Sequence, residues 1–209
     1  QPGAPIVAVE ALVRWPGHPT GITALEIIRT AESYDFVDMV DRAVMRRACA
    51  EAMGWPDHVK VAVNLSPRQF LRGTLTATVV EVLENTGLAP GRLELEVTEG
   101  MLMQVKDATK LRLEEMRKFG IKISLDDFGT GYSSLSYLKM LDIDYLKVDQ
   151  SFVRDLEIDP DDRALCEAMI VMAHKLGLKV VAEGIETKGQ FDLLVSAGCD
   201  FGQGYLFAK

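Results

Sequence analysis

The sequence contains few cysteines, has an excess of acidic over basic residues and has no long hydrophobic run. Its three cysteines lie far apart and include no Cys-x-x-Cys pair, which excludes a disulfide framework and predicts a reducing compartment. The 23 basic and 31 acidic residues give a formal net charge of −8, which argues against binding a nucleic acid polymer through a basic surface. No apolar run reaches the ~20 residues of a membrane-spanning helix. We therefore expect a cytoplasmic protein, or the cytoplasmic part of a membrane-anchored one.

Strand-like and helix-like segments alternate along the chain without a linker or a repeat. With 209 residues, 48% of them hydrophobic, the chain has the material for one core, and we expect a single domain over 1–209. The alternation predicts an α/β fold, a parallel sheet covered by helices, built as an open doubly wound sheet or as a closed barrel. Seven strands are predicted, at 6–15, 59–66, 93–99, 121–125, 144–149, 179–186 and 202–207.

Polar residues at the carboxyl ends of these strands favour the barrel. In a TIM-like β/α-barrel those ends converge on one face, where the active site lies, whereas an open sheet spreads many of them along an edge. Such a barrel has eight strands and usually ~250 residues. We therefore expect either a first strand that is missing, at least in part, from this chain, or an incomplete barrel. The polar residues are Glu10, Asn64, Glu96 with Glu99, Asp126 with Asp127, Lys147 with Asp149, Glu183 with Glu186, and Gln203.

The adjacent pair Asp126 and Asp127 follows a short apolar strand and precedes Gly129-Thr130-Gly131. Two interpretations are open for this pair. It forms a turn with helix-capping acids, or it is part of a cation site, because adjacent carboxylates repel each other unless a proton or a cation lies between them.

On the barrel hypothesis one pocket receives an acidic, oxygen-rich set without cysteine or histidine. Oxygen ligands suit Mg²⁺ or Mn²⁺, and two ions sharing Asp126 would stand ~3.5–4 Å apart, the arrangement used for in-line attack on a phosphodiester. Lys147 supplies a buried cation that could orient a water or contact a phosphate oxygen. The set consists of Glu10, Asn64, Glu96, Asp126, Asp127 and Glu183.

Each of these positions also has a structural interpretation. Glu10 could be a satisfied buried acid and Asn64 a turn residue. Glu99 and Glu186 would hold loops, and Asp149 would be a partner of Lys147. A metal-dependent lyase or isomerase with Lys147 as base is a third hypothesis for the whole set.

Taken in order, the motifs resemble the EAL-domain family of cyclic di-GMP phosphodiesterases. The resemblance extends from about residue 6 to the end of the chain, and no ligand position of the family is lost. It is carried by Glu10-Ala11-Leu12-Val13-Arg14-Trp15, Asn64-Leu65-Ser66-Pro67-Arg68-Gln69-Phe70, Glu96-Val97-Thr98-Glu99, Asp126-Asp127-Phe128-Gly129-Thr130-Gly131-Tyr132-Ser133-Ser134-Leu135, Leu146-Lys147-Val148-Asp149, Val181-Ala182-Glu183-Gly184-Ile185-Glu186 and Gln203-Gly204-Tyr205-Leu206-Phe207.

The resemblance implies hydrolysis of cyclic di-GMP to linear pGpG with two Mg²⁺ or Mn²⁺ ions. It implies metal ligation by Glu10, Asn64, Glu96 and Asp126. Asp127 would hold the second metal or its catalytic water, and Glu183 would be a ligand or general base. Lys147 would act on the attacking water, Gln203 on that water or a phosphate oxygen, and Arg14 and Leu12 on the substrate. Glu99, Glu186 and Asp149 would hold loops, Glu99 the loop 127–135.

The resemblance also implies partners. We expect a homodimer formed near loop 127–135, fusion to sensor or cyclase domains outside this chain, and a strand ahead of β-strand 6–15 that pairs antiparallel with it. The alternative function is a non-enzymatic cyclic di-GMP receptor in a signalling protein.

Overall fold

The computed structural model describes residues 5–15, 17, 21–71, 73–104, 106–130 and 138–207. They form two compact units. The first unit contains residues 4–97 and 104–122, and the second contains 98–103 and 123–209. Within the described ranges no helix is long and apolar enough to cross a membrane.

The first unit contains three parallel strands in chain order. They are β1 (Ala8–Ala11), β2 (Lys60–Asn64) and β3 (Leu93–Thr98), and the pairing aligns Glu10 with Ala62 and Asn64 with Glu96. Its helices are α1 (Ala24–Ser33), α2 (Val37–Ala52), α3 (Pro67–Leu71), α4 (Leu75–Thr86), the short 3-10 helix Pro90–Arg92 and α6 (Lys106–Lys118).

Local sequence explains where these helices begin and end. Thr23 and Glu26 form a capping box at the start of α1, which satisfies backbone N–H groups that have no partner inside the helix. Helix α4 ends at Gly87, whose φ of 77° is the left-handed conformation that glycine adopts without a steric penalty. Val79, Val82 and other apolar residues of α4 are buried, as the predicted helical spacing requires.

The second unit contains four parallel strands, again in chain order. They are β4 (Lys122–Phe128), β5 (Tyr145–Val148), β6 (Lys179–Ala182) and β7 (Phe201–Gly202). The helices are α5 (Glu99–Gln104), α7 (Gln150–Arg154), α8 (Pro160–Lys175) and α9 (Lys188–Ser196). Asp126 and Asp127 lie near the end of β4 and Lys147 lies on β5, whereas Glu183 and Gln203 directly follow β6 and β7.

Helix α8 packs through a face one residue away from the predicted one. The spacing of apolar residues over 161–176 predicts a helix that packs through Leu165, Ala168, Met169 and Met172. The buried residues are Cys166, Met169, Ile170 and Ala173, whereas Leu165 is 50% exposed. The apolar residues of this helix surround most of its circumference, so their spacing alone does not identify the buried face.

Several strand bounds differ from the sequence-based expectation. Strand β1 covers 8–11 instead of 6–15, and β7 covers 201–202, which puts Gln203 just after the strand. Strand β4 continues through the two aspartates to Phe128 instead of ending at residue 125. The expected helix 133–141 falls largely on residues outside the described ranges, as do residues 1–4, where the extra first strand was sought.

Candidate active site

A buried lysine joins two acidic side chains in the second unit. Lys147 lies on β5, and its side chain is 3% exposed. Its Nζ lies 2.7 Å from Glu183 Oε1 and 3.2 Å from Asp126 Oδ1. The three residues come from β5, from the segment after β6 and from β4, so neighbouring parallel strands bring them together as predicted from the sequence. The ammonium group compensates two carboxylates that are almost fully withdrawn from water.

Gln203 completes this cluster. Its Nε2 donates a hydrogen bond to Glu183 Oε1 over 2.9 Å, and its backbone carbonyl accepts one from Ile185 N over 3.0 Å. The chain can approach this closely because residue 204 is glycine, at φ +151°. A β-carbon there would stand 2.3 Å from the backbone N and O of Ile185. Glu183 Oε1 therefore receives an amide donor and an ammonium donor from fixed positions.

The two adjacent aspartates occupy an irregularity near the end of β4. The pairing of β4 with β5 shifts register between Leu125 and Phe128, and Asp127 has a φ of 55°. In a regular strand adjacent side chains point to opposite faces, and a bulge changes that alternation. Asp126 is buried and Asp127 exposed, and Asp127 N donates to Asp126 Oδ1 over 3.0 Å.

The first unit brings together a second group of predicted residues. Asn64 Nδ2, at the end of β2, donates a hydrogen bond to Glu10 Oε1 on β1 over 2.8 Å. Glu96, on the neighbouring β3, is aligned with Asn64 and is 2% exposed. Two carboxylates and a carboxamide thus lie on three successive parallel strands. That the two groups of the predicted site form one pocket stays a prediction.

The predicted substrate-binding residues of the first unit lie just after β1. Leu12 is 52% exposed. Arg14 is exposed, and its Nη1 donates to the carbonyl of its neighbour Val13 over 2.9 Å. Both side chains are therefore accessible to a ligand, and their role stays a prediction.

The residues predicted to hold loops have separate environments. Asp149 caps α7, because its Oδ1 accepts a hydrogen bond from Ser151 N over 2.9 Å. Glu99 begins α5 and is 8% exposed; its buried Oε2 has no hydrogen-bond partner among the described residues. Glu186 is exposed, and its backbone N donates to Gln190 Oε1 over 2.8 Å. Much of the loop 127–135 that Glu99 was expected to hold lies outside the described ranges.

Two buried polar residues that form hydrogen-bond networks were not identified by the sequence analysis. Gln190 of α9 is 4% exposed and Asp41 of α2 is 5% exposed. Asp41 accepts a hydrogen bond from Ser66 Oγ, which in turn accepts one from Gln69 N at the start of α3. For Gln190 a signal existed, because Thr187-x-x-Gln190 is the pattern of a capping box. Asp41 stands among apolar helix positions, and sequence alone does not identify its partner.

The donor chemistry of the two groups fits a hard divalent cation. The predicted ligands offer carboxylate and carboxamide oxygens and no thiol or imidazole, as Mg²⁺ and Mn²⁺ prefer. Across the described ranges, no three His, Cys, Asp or Glu side chains are gathered as a metal-binding group. In the second unit the Lys147 ammonium lies between Asp126 and Glu183, so this position already holds a positive charge between two acids.

The profile of the EAL domain family matches residues 3–209. The chain belongs to the EAL domain family. The side-chain contacts described above therefore belong to an EAL domain. Glu10, Ala11 and Leu12 are the residues that give the family its name.

Curated relatives of this EAL domain are considerably longer than the chain. It is 45% identical over 207 residues to cyclic di-GMP phosphodiesterase NbdA of Pseudomonas aeruginosa, covering 96% of the chain and 26% of that protein. It is 40% identical over 213 residues to the bifunctional diguanylate cyclase/cyclic di-GMP phosphodiesterase MucR of the same organism, covering 100% of the chain and 31% of that protein. The chain thus spans about a quarter to a third of these relatives.

Solved structures resemble the EAL domain over its whole length. The PaMucR phosphodiesterase, solved as a c-di-GMP complex, matches with a TM-score of 0.94 and 39% identity, covering 100% of this chain and 86% of that one. BlrP1 of Klebsiella pneumoniae, solved as a manganese and cyclic di-GMP complex, matches with a TM-score of 0.84 and 32% identity, covering 97% and 51%. The expected TIM-like α/β fold is thereby confirmed.

Proposed function

We propose that this EAL domain hydrolyses cyclic di-GMP to the linear dinucleotide pGpG in a metal-dependent reaction. The observation that supports this most directly is the cluster of Lys147 with Asp126, Glu183 and Gln203. These four residues belong to separate family motifs along the sequence and contact each other in the second unit. Relatives at 40–45% identity are named cyclic di-GMP phosphodiesterases, which supports the same substrate.

The reaction adds one water across one phosphodiester bond. The water oxygen attacks phosphorus, the bond from phosphorus to the 3′ oxygen breaks, and that oxygen takes up a proton. Formation of the bond between the water oxygen and phosphorus requires a deprotonated water, and the phosphate gains negative charge during attack. A site for this reaction needs positive charge, a fixed water and a means of moving a proton.

In our proposal the metal-binding residues are Glu10, Asn64 and Glu96 of the first unit with Asp126, Asp127 and Glu183 of the second. Bound Mg²⁺ or Mn²⁺, two ions in our proposal, would lower the pKa of the attacking water and neutralise phosphate charge. Glu183 either binds metal or accepts the proton of the water, and both roles agree with its position beside Lys147.

The protein's own donors would orient the reactants. Lys147 Nζ would donate to the attacking water or to a phosphate oxygen, because an ammonium group is a hydrogen-bond donor with a full positive charge. Gln203 would hold the water or a phosphate oxygen through its carboxamide. Arg14 would bind a substrate phosphate through its guanidinium, and Leu12 would line the substrate site.

The remaining proposals concern the protein around this chain. We propose one EAL domain over 1–209 that acts as a homodimer and is joined to sensor or cyclase domains. The bifunctional name of the MucR relative and the small share of each relative that the chain covers support such a fusion.

The test is turnover of cyclic di-GMP with Mg²⁺ or Mn²⁺, with chromatographic separation of products and an EDTA control. We expect linear pGpG that disappears with EDTA, and no turnover in the Asp126→Asn or Glu10→Gln variants. Asp161→Asn, which changes an exposed acid at the start of α8, is the matched control and should retain full activity. Calorimetric binding of the nucleotide without any product would overturn the proposal in favour of a receptor.

A further inference from the structure

We propose that Gln190 is a positioning residue that fixes Glu183 beside Lys147 by holding the backbone of residues 186 and 187. The consequence for catalytic rate rests on the proposed function, whereas the consequence for backbone mobility does not. No motif used to identify the family includes this residue.

The buried carboxamide of Gln190 makes three hydrogen bonds to backbone groups. Its Oε1 accepts hydrogen bonds from the backbone N of Glu186 over 2.8 Å and of Thr187 over 3.0 Å. Its Nε2 donates to the carbonyl of Arg154 over 2.9 Å. At 4% exposure these bonds have no competition from bulk water, and losing them would leave two N–H groups and a carbonyl without this partner.

The segment that Gln190 holds has irregular backbone. Strand β6 ends at Ala182 and α9 begins at Lys188, so residues 183–187 connect the two elements. At the start of this segment Glu183 N still donates to the Val148 carbonyl of β5 over 3.1 Å. On one side, Ile185 N donates to the Gln203 carbonyl over 3.0 Å. On the other side, Gln190 supplies the contacts. Glu183 is the first residue of this segment. Its own bond to Val148 fixes its backbone N, and the path of the chain beyond it depends on the attachments of Ile185 and of residues 186 and 187.

The same side chain connects the segment to the strand of Lys147. Arg154 ends α7, which begins two residues after the end of β5. Gly184 packs against α7 as well, at φ +68°, where a β-carbon would lie 2.6 Å from Gln150 Cβ. Gln190 thus joins the segment after β6 to the helix after β5, which are the two places that determine the 2.7 Å contact between Glu183 and Lys147.

A purely structural role must be distinguished from positioning, because Gln190 also belongs to the capping box of α9. In that box Gln190 N donates to Thr187 Oγ1 over 3.1 Å. Thr187→Ala removes this cap, together with the bond from Thr187 Oγ1 to Glu157, while the carboxamide of Gln190 remains. The Thr187→Ala variant is therefore the matched control for a loss of helix stability.

The experiment compares wild type, Gln190→Met and Thr187→Ala in two measurements. The first is amide hydrogen exchange in the metal-free protein. We expect the amides of residues 186 and 187 to be protected in wild type and in Thr187→Ala, and to exchange at least about tenfold faster in Gln190→Met. The second is steady-state hydrolysis. We expect kcat to fall about 10- to 100-fold in Gln190→Met, with KM changed less than about threefold.

Three results would overturn the proposal. One is unprotected amides at residues 186 and 187 in wild type, a measurement that needs no variant to fold. Another is an unchanged kcat in Gln190→Met. The third is an equal loss of kcat in Thr187→Ala and Gln190→Met at equal melting temperature. If wild type protects these amides but hydrolyses no cyclic di-GMP, the proposed function fails and the positioning role in the fold stands.

Discussion

Replacing Lys147 with methionine removes the cation from between two acidic side chains while keeping a similar volume. The Lys147 side chain is 3% exposed, and the side chains of Asp126 and Glu183 are 13% and 15% exposed. The variant therefore leaves two nearly buried carboxylates without the ammonium group that both contact. Breaking a buried ion pair from one side costs about 3–5 kcal/mol, because the remaining charge is uncompensated.

The loss should be visible without substrate or metal. In EDTA at pH 7.5, urea unfolding followed by circular dichroism should show a free energy of unfolding about 3–5 kcal/mol lower than in wild type. For a chain of this size that corresponds to a fall in Tm of roughly 6–20 °C. Lys175→Met, at an exposed position near the end of α8, is the control and should change stability by less than about 0.5 kcal/mol.

A double variant tests the cause of the loss. Lys147→Met combined with Glu183→Gln removes one of the two uncompensated charges, so it should be more stable than Lys147→Met alone by at least about 1 kcal/mol. A loss of less than about 1 kcal/mol in Lys147→Met, or no recovery in the double variant, would refute the reasoning. The two carboxylates would then be compensated by other groups.

Three further outcomes follow from burial and backbone geometry. Burial raises the pKa of Asp41 from 3.8 to about 6, against the lowering effect of its hydrogen bond with Ser66. The folded state then holds the proton of Asp41 more tightly than the unfolded state, so this group's contribution to stability is lost as pH rises through 6. In urea unfolding at pH 7.5, Asp41→Asn should therefore be more stable than wild type by up to about 3 kcal/mol. Equal stability of the two proteins at pH 7.5 would contradict this. Desolvation also raises the pKa of all three cysteine thiols to about 11 or 12, so they should react with a thiol reagent at pH 7.5 at least about 100-fold more slowly than in urea. Rapid labelling of Cys49 or Cys166 in the native protein would be inconsistent with their burial. Gly204→Ala should lower the free energy of unfolding by about 1–3 kcal/mol and reduce turnover, because the new β-carbon displaces the chain beside Gln203; wild-type stability in the same urea assay would show that this approach is not tight.

Much of the fold follows from features that the sequence makes explicit. The alternation of strands and helices, the end of α4 at Gly87 and the start of α9 after Thr187 depend on local periodicity and capping chemistry. The helices α3, α5 and α7 were not predicted as separate elements. They contain five or six residues each, too few for a periodic pattern to be distinguished from a loop.

The candidate site, too, could be predicted from the sequence only in part. Neighbouring parallel strands were expected to bring Lys147 to Asp126 and Glu183, and the structure has both contacts. The register shift between Leu125 and Phe128 was not expected, since a shift depends on pairing with β5 and not on the residues of β4 alone. The contact between Gln190 and the Arg154 carbonyl joins positions 36 residues apart, and no local pattern encodes it.

The left-handed backbone of Asp127 also affects which residues are expected at this position in descendants of the protein. A φ of 55° costs an acidic residue about 1–2 kcal/mol that glycine does not pay. In a lineage released from the need for the carboxylate, mutation would therefore drift towards glycine at position 127, because glycine relieves the backbone and removes a negative charge next to Asp126. An aspartate retained there against this backbone preference would indicate that selection still acts on its chemistry.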